Sequence, residues 1–341
     1  MTSPVWQIKK GVWAGATICS APAISQWFVG GAADITSKGK LILINSGLSE
    51  AIIDVEIWSE SGIQPPKVVM LKANSSVVQS LDSLDPGAKR IALHIVPRSG
   101  RVNAFLVDER GRGLKALGGD MVNASPDPSK VVVIPAIPHM KRSGKALGHT
   151  LRVIAPGDVD ARISVELIST KGSFVPLGFD DRAIKAGIVT EIALNPELIP
   201  STFALKITSD RPIVASVYSS TYADSKSDFV WSTSTAEMKE YSLAVSGLAP
   251  TLVFAGEKIS ISLSILYTNK KEKKLTITGE GIATFKVPEN ARTINFTKVS
   301  DETVGGSLIS TQSGFGYLPL IPGSELTRVL LPSANIRVLN P

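Results

Sequence analysis

One cysteine, Cys19, stands in a chain of 341 residues, which excludes an internal disulfide framework and any multi-cysteine metal site. No run approaches the roughly 20 apolar residues a membrane-spanning helix needs, so no transmembrane segment is expected. Lys9-Lys10 followed by Gly-Val-Trp-Ala-Gly imitates the start of a signal peptide with an Ala-x-Ala ending at residues 21–23. Its apolar part is short and broken by glycine, so no export signal is evident. Long stretches of 3.6-residue periodicity are lacking as well.

Histidine is scarce. His94 falls mid-strand in Ala-Leu-His-Ile-Val, where a solvent-facing position is expected, and His139 and His149 have no acidic partner at a telling spacing. No Gly-x-Ser-x-Gly elbow surrounds a serine, and no Asp-x-Asp-x-Asp-Gly loop or His/Cys cluster is set up for a metal. The stretch 112–120, Arg-Gly-Leu-Lys-Ala-Leu-Gly-Gly-Asp, has glycines but not the Gly-Lys-Ser/Thr ending of a phosphate loop. The carboxylate pairs Asp180-Asp181, Asp82 with Asp85, and Asp301-Glu302 sit in turn-rich segments. There aspartate serves local backbone hydrogen bonds more readily than glycosidase chemistry. The expectation is a protein that is not an enzyme, with no catalytic residues, no metal and no cofactor.

The 36 basic and 30 acidic residues leave a net charge of +6. Arginine and lysine are not interleaved with aromatics along a stripe, so no nucleic-acid partner is expected. The densest basic run, Lys-Lys-Glu-Lys-Lys at 270–274, reads as a solvated hairpin turn. A weak attraction to anionic wall polymers or lipid head groups stays open.

What the chain does have is a duplication. Residues 41–62 return without a gap as residues 151–172, with nine of the 22 paired positions identical, among them Gly47/Gly157, Ala51/Ala161, Glu56/Glu166, Ser59/Ser169 and Gly62/Gly172. Ile53, Val55 and Ile57, and in the second copy Ile163, Val165 and Leu167, alternate with outward residues, the period of a strand with one buried face. The outward Glu56 and Glu166 are each expected to pair with a cross-strand lysine or arginine. The shorter runs 41–44 and 151–154 precede turns in which Gly47 and Gly157 are expected to take positive φ. A unit of about 110 residues with some seven short strands is the size of an immunoglobulin-like β-sandwich. The fold class is therefore all-β, tandem immunoglobulin-like β-sandwiches: residues 1–125 with a lead segment, residues 126–238 as its repeat, and residues 239–341 as a degenerate third copy. In that third copy Leu263 and Ile265 stand for Leu41 and Leu43, Leu275 and Ile277 for Ile53 and Val55, and later strands fall at 284–287, 293–296, 306–310 and 326–330. Trp27 or Phe28, before Gly30-Gly31, is expected to plug one end of the first core.

Cys19-Ser20-Ala21-Pro22, Trp27-Phe28-Val29-Gly30-Gly31, the repeated stretch and Ser-Gly-Arg-Val-Asn-Ala-Phe at 99–105 together resemble the uncharacterised actinobacterial envelope family known as domain of unknown function 5719. Strand, turn, strand, then Ser-Asp-x-Pro-Ile-Val-Ala at 209–215, also resembles generic bacterial surface sandwich modules. Ser46 stands where the family turn prefers proline, which Pro156 keeps in the second copy. The resemblance implies an exported protein near the cell wall and brings no catalytic residues.

Two functional readings follow. The first is a cell-envelope or secreted structural or interaction protein, with a cell-wall component or envelope protein as partner. The second is a carbohydrate-binding or carbohydrate-active wall protein, which needs Trp58, Trp231 or Tyr222 exposed as a platform beside carboxylates. Trp58 could equally cover an interface between adjacent sandwiches, as the matching Ile168 suggests. The loops at 111–120 and 222–228 close equivalent ends of the two copies and are where contacts are expected.

Overall fold

Alternation along the repeated strand is realised side chain by side chain. Ala51, Ile53, Val55 and Ile57 are fully buried, as are Ala161, Ile163, Val165 and Leu167 at the same places in the second copy. Each of the isoleucines, valines and the leucine withdraws enough apolar surface from water to contribute about 1.5–3 kcal/mol. The computed structural model describes residues 2–9, 12–196, 202–223, 226–312 and 314–324. Regular structure among them is strand, apart from one 3-10 turn at Leu81–Ser83.

A hairpin of β1 (Pro4–Lys9) and β2 (Trp13–Ile18) comes first. The first sandwich follows with β3 (Gln26–Val29), β4 (Lys40–Asn45), β5 (Ala51–Ser59), β6 (Gly62–Leu71), β7 (Ser75–Ser80), β8 (Ile91–Ser99), β9 (Asn103–Arg112) and β10 (Lys115–Val122). These make two four-stranded sheets, β3-β8-β5-β6 and β10-β9-β4-β7. The second unit has β11 (Ser129–Pro138), a small hairpin of β12 (Lys141–Arg142) and β13 (Lys145–Ala146), then β14 (His149–Ile154), β15 (Ala161–Ser169), β16 (Gly172–Phe174), β17 (Arg182–Ile184), β18 (Thr190–Leu194), β19 (Thr202–Ala223) and β20 (Lys226–Thr233). Its pairing repeats the first: β11 and β15 flank the first half of β19, while β14 and β20 flank its second half. Ser209-Asp210-Arg211-Pro212 forms a corner within one 22-residue strand serving both sheets. Asp210 steadies it by accepting the Arg162 N–H at 2.7 Å.

Some seven strands are expected per unit. Beyond that number, the first unit adds β10 and the second adds β20 at the same place, both beginning in the stretches expected to be loops. Positive φ is found not at Gly47 and Gly157 but at Gly62 (+103°) and Gly172 (+116°). There Ser59 and Ser169 accept the Ser61 and Lys171 N–H groups at 3.3 and 3.2 Å. Two of the nine identities thus encode one hairpin turn.

The third unit comprises β21 (Tyr241–Ala244), β22 (Thr251–Tyr267), β23 (Glu272–Lys286), β24 (Ala291–Val299), β25 (Val304–Thr311) and β26 (Gly314–Pro319). The long β22 and β23 pair along their length with a bulge between Gly256 and Lys258, so each serves both halves of the unit. The basic run does make a hairpin, with Lys270 in its turn. The strands that the 222-residue offset equates with β4 and β5 pair directly here, whereas β4 and β5 lie in different sheets. The strand expected at 326–330 lies outside the described residues. The lead segment divides. Phe28 fills the first core as expected, but Ala16 and Ile18 belong to the core of the third unit, and Thr2 bridges to Leu243.

Ile53→Ala and Ile163→Ala are expected to lower stability by about 2–5 kcal/mol each. Because the units share buried junctions, urea denaturation followed by tryptophan fluorescence and by circular dichroism should show both variants moving one common transition. Two separated transitions would contradict the interlocking.

Candidate functional site

The side chains with chemical potential gather at the junctions between units. On the outer face of the sheet carrying β5, Trp27, Val29, Trp58 and Ala92 pack against Ile154, Val189 and Val214 of the second unit. Trp58 is 4% exposed, and its ring stacks on Trp27 at 5.1 Å. Trp27 in turn stacks on His94 at 4.0 Å, almost parallel. His94, expected to face solvent, is therefore covered by the indole of its register partner on β3.

At the rim of this junction His94 Nδ1 lies 2.8 Å from Glu56 Oε2, and His94 Nε2 lies 2.9 Å from Ser25 Oγ. Order and spacing are those of a nucleophile, base and acid. The serine hydroxyl, however, donates to Asp127 Oδ1 at 2.6 Å. A hydroxyl owns one proton, and given to Asp127 it is not available to His94. A carboxylate there also repels the oxyanion that acyl transfer must develop. The chain Glu56–His94–Ser25–Asp127 instead ties two strands of the first sandwich to the connection leading into the second.

Deeper in, Arg152 of β14 is 1% exposed and reaches into the first unit. It donates to the carbonyls of Gly31 at 2.6 Å and Ile91 at 3.2 Å and pairs with Glu191 at 2.7 Å. Burial pulls its pKa down against the attraction of Glu191. Its guanidinium sits 4.7 Å from the centre of the Trp231 ring. Trp231 donates through Nε1 to Asp108 at 2.9 Å and through its backbone N–H to Asp120 at 2.7 Å. Asp108 also pairs with Arg110 at 2.9 Å, which holds that guanidinium above its ordinary pKa in spite of burial. Burial raises the Asp120 carboxyl well above the usual range, with Asp228 and Asp108 adding to the rise and the Trp231 and Met121 N–H groups opposing it.

Asp228 accepts the Gly119 N–H at 3.0 Å, and its Oδ2 has no hydrogen-bond partner among the described residues. Burial pushes its carboxyl up to about 7. All three units and the first hairpin meet here, so close that a Cβ on Gly119 would stand 2.9 Å from the Trp13 ring and one on Gly314 would run into Asp228 and the backbone of Ala14. Asn123 closes the point by donating to the carbonyls of Ala16 and Tyr317, both at 2.9 Å. Gly118 and Gly119 of the stretch at 112–120 serve this contact, whereas Gly113 takes positive φ in an exposed turn.

Within the second unit His139, His149 and Ser219 form a buried chain, with links of 3.0 and 2.9 Å. Burial, then the neighbouring His139, pull His149 down to about 4. Ser219 is fully buried, which keeps the chain from substrate. The turn carboxylates act locally: Asp181 pairs with Arg162, and Glu302 takes positive φ in its turn.

The second junction is built on the same face and filled differently. Glu56, His94, Trp27, Trp58 and Ala92 correspond by register to Glu166, Lys206, Val133, Ile168 and Ala204. Ile168 and Ala204 pack against Val253, Ala255, Ile282 and Val304 of the third unit. Glu56 thus pairs with His94 and not with the expected lysine or arginine, while Glu166 has Lys206 as its register partner on the neighbouring strand. With two indoles exchanged for aliphatic groups, a cleft of about 910 Å³ remains between the second and third units.

The aromatic platform needed for sugar is not formed by the tryptophans. Trp231 is fully buried under Arg152, and Trp58 covers the first junction, where the match with Ile168 had pointed. Burial follows from the duplication, because an outward position on one sandwich is an inward position of the stack. Tyr222 is half-buried, donates to the Lys141 carbonyl at 3.2 Å and has Arg142 5.7 Å from its ring centre. Asp108, Arg110, Asp120, Arg152 and Asp228 were not anticipated. An arginine in Leu-Arg-Val-Ile, where the first copy has Ile42, was the available signal.

A family model described as a family of unknown function (DUF5719) matches residues 5–288. No curated protein matches the chain.

Asp228 and His149 act oppositely on stability. Asp228, raised to about 7, contributes stability that is complete below the free carboxyl value near 3.8 and is lost as pH rises through about 7. His149, lowered to about 4, contributes stability present above 6.5 and lost as pH falls through about 4. Asp228→Asn should remove the first effect, so that between pH 5 and 8 the variant gains on the parent by about 1–4 kcal/mol in urea titrations. Parallel pH profiles would refute the assignment.

Proposed function

We propose, from the premise that the chain belongs to the DUF5719 family, that it is a non-enzymatic structural and interaction protein of the cell envelope or secreted space. One observation carries this reading: the versatile side chains are committed to holding sandwiches together. Ser25, His94 and Glu56 are spent on a tether to Asp127, and Arg152, Trp231 and the buried aspartates on the meeting point of the units. Among the described residues no group of three or more histidine, cysteine, aspartate or glutamate side chains is placed to hold a metal ion. No helix among them is long and apolar enough to cross a membrane. Carbohydrate binding is the weaker reading, since Trp58 and Trp231 are buried and the Tyr222 ring carries Arg142.

Two measurements test the proposal. A fluorophosphonate probe should leave the folded chain unlabelled while labelling a serine hydrolase alongside; labelling abolished by Ser25→Ala would overturn the non-enzymatic reading. Fractionation of producing cells should place the chain in the envelope or the medium, and a purely cytosolic chain would overturn the location.

A further inference from the structure

The cleft between the second and third units differs from the first junction in charge as well as filling. Its rim carries Asp127, Glu166, Glu237, Glu257 and Glu302, with Lys206 as the one cation lining it among the described residues. Five carboxylates to one ammonium is the reverse of the whole chain, whose net charge is +6. Among the described residues none of Glu237, Glu257 and Glu302 has an ion-pair partner, and all three are exposed. The apolar part of the lining includes Val133, Ile168, Ala255 and Val304. At the first junction the corresponding space is closed by Trp27, Trp58 and His94, so the opening is a particular of the second copy and not a property of the repeat.

We propose that this cleft is a docking site for a basic, partly apolar polypeptide segment of a partner protein. The volume of about 910 Å³ is near the upper end for a preformed ligand pocket. The carboxylates are supplied by both inter-unit connections (Asp127, Glu237), by β15 (Glu166), by the bulge of β22 (Glu257) and by the turn before β25 (Glu302). One ammonium group reaches one or two of these; several, spaced by apolar side chains, reach the set while covering the aliphatic floor. The low-dielectric wall focuses the field of the rim and favours capture of a cationic segment. This inference goes beyond the structural reading above, and its failure would leave that reading standing.

The test is fluorescence anisotropy on the full chain, with a labelled six-residue peptide alternating lysine and valine and a control alternating glutamate and valine. Only the basic peptide should bind. The double variant Glu257→Lys, Glu302→Lys should weaken binding at least about tenfold. Ala236→Trp, on the exposed lining, and Ile168→Trp, which restores the indole of the first junction, should weaken it by about as much without changing the charge. Circular dichroism checks folding, and Ala236→Trp keeps the test decisive if Ile168→Trp does not fold. The proposal is overturned if the basic peptide does not bind at millimolar concentration, or binds folded Ala236→Trp as well as the parent. It is equally overturned if the acidic peptide or a neutral oligosaccharide competes equally, or if a second copy of the chain proves to occupy the cleft by an association that Ala236→Trp abolishes.

Discussion

Trp58 and Ile168 occupy one place in two copies of the same fold, on a sheet face that a solitary sandwich turns to water. Both are almost fully buried because the following unit covers them. An exposed indole or isoleucine flanked by further apolar groups is a standing incentive to association, and here it is met within the chain. The first unit lies on the second and the second on the third through the same surface. Apolar contact supplies the attraction, and Arg152, Trp231 and the buried aspartates fix one geometry, since a misplaced unit would leave those groups without partners in a medium that penalises them.

The two junctions also show how a duplicated surface diverges. Register, strand order and the position of the acidic residue are kept, while the filling passes from two indoles and an imidazole to valine, isoleucine and lysine. The first junction is a packed seam with a polar latch at its edge. The second keeps only part of its apolar contact and leaves a space lined by carboxylates. Divergence after duplication has thus separated adhesion between units from the accommodation of something else.

Much of the architecture was legible in the sequence because a period of two and a repeated stretch are statements about which face of a strand is buried. Ala51, Ile53, Val55 and Ile57 could be assigned inward without coordinates, and Ile168 opposite Trp58 hinted at a stacked interface. Legibility failed where tertiary contact overrode local pattern. The strands β10 and β20 begin in stretches expected to be loops; in the fold Gly118 and Gly119 permit close approach of other units, and Asp228 accepts the Gly119 N–H. The pairing of His94 with Glu56 and Ser25 spans 38 and 69 residues, beyond the reach of spacing arguments. Trp231 looked like a surface aromatic because nothing local announces that Arg152, 79 positions earlier, will lie on its ring.

The hairpin of β1 and β2 docks on the third unit, with Ala16 against Gly316 and with Ile18 in the same core as Leu318. Those contacts join residues separated by almost the whole chain. A ribosome adds about 5–20 residues each second, so β2 leaves it roughly a quarter of a minute to a minute before β26. For that interval an apolar strand, Trp-Ala-Gly-Ala-Thr-Ile, exists without its final neighbour. Completion of the fold is thereby tied to completion of the third unit, and a chain interrupted before β26 carries an uncovered strand by which it can be recognised and removed.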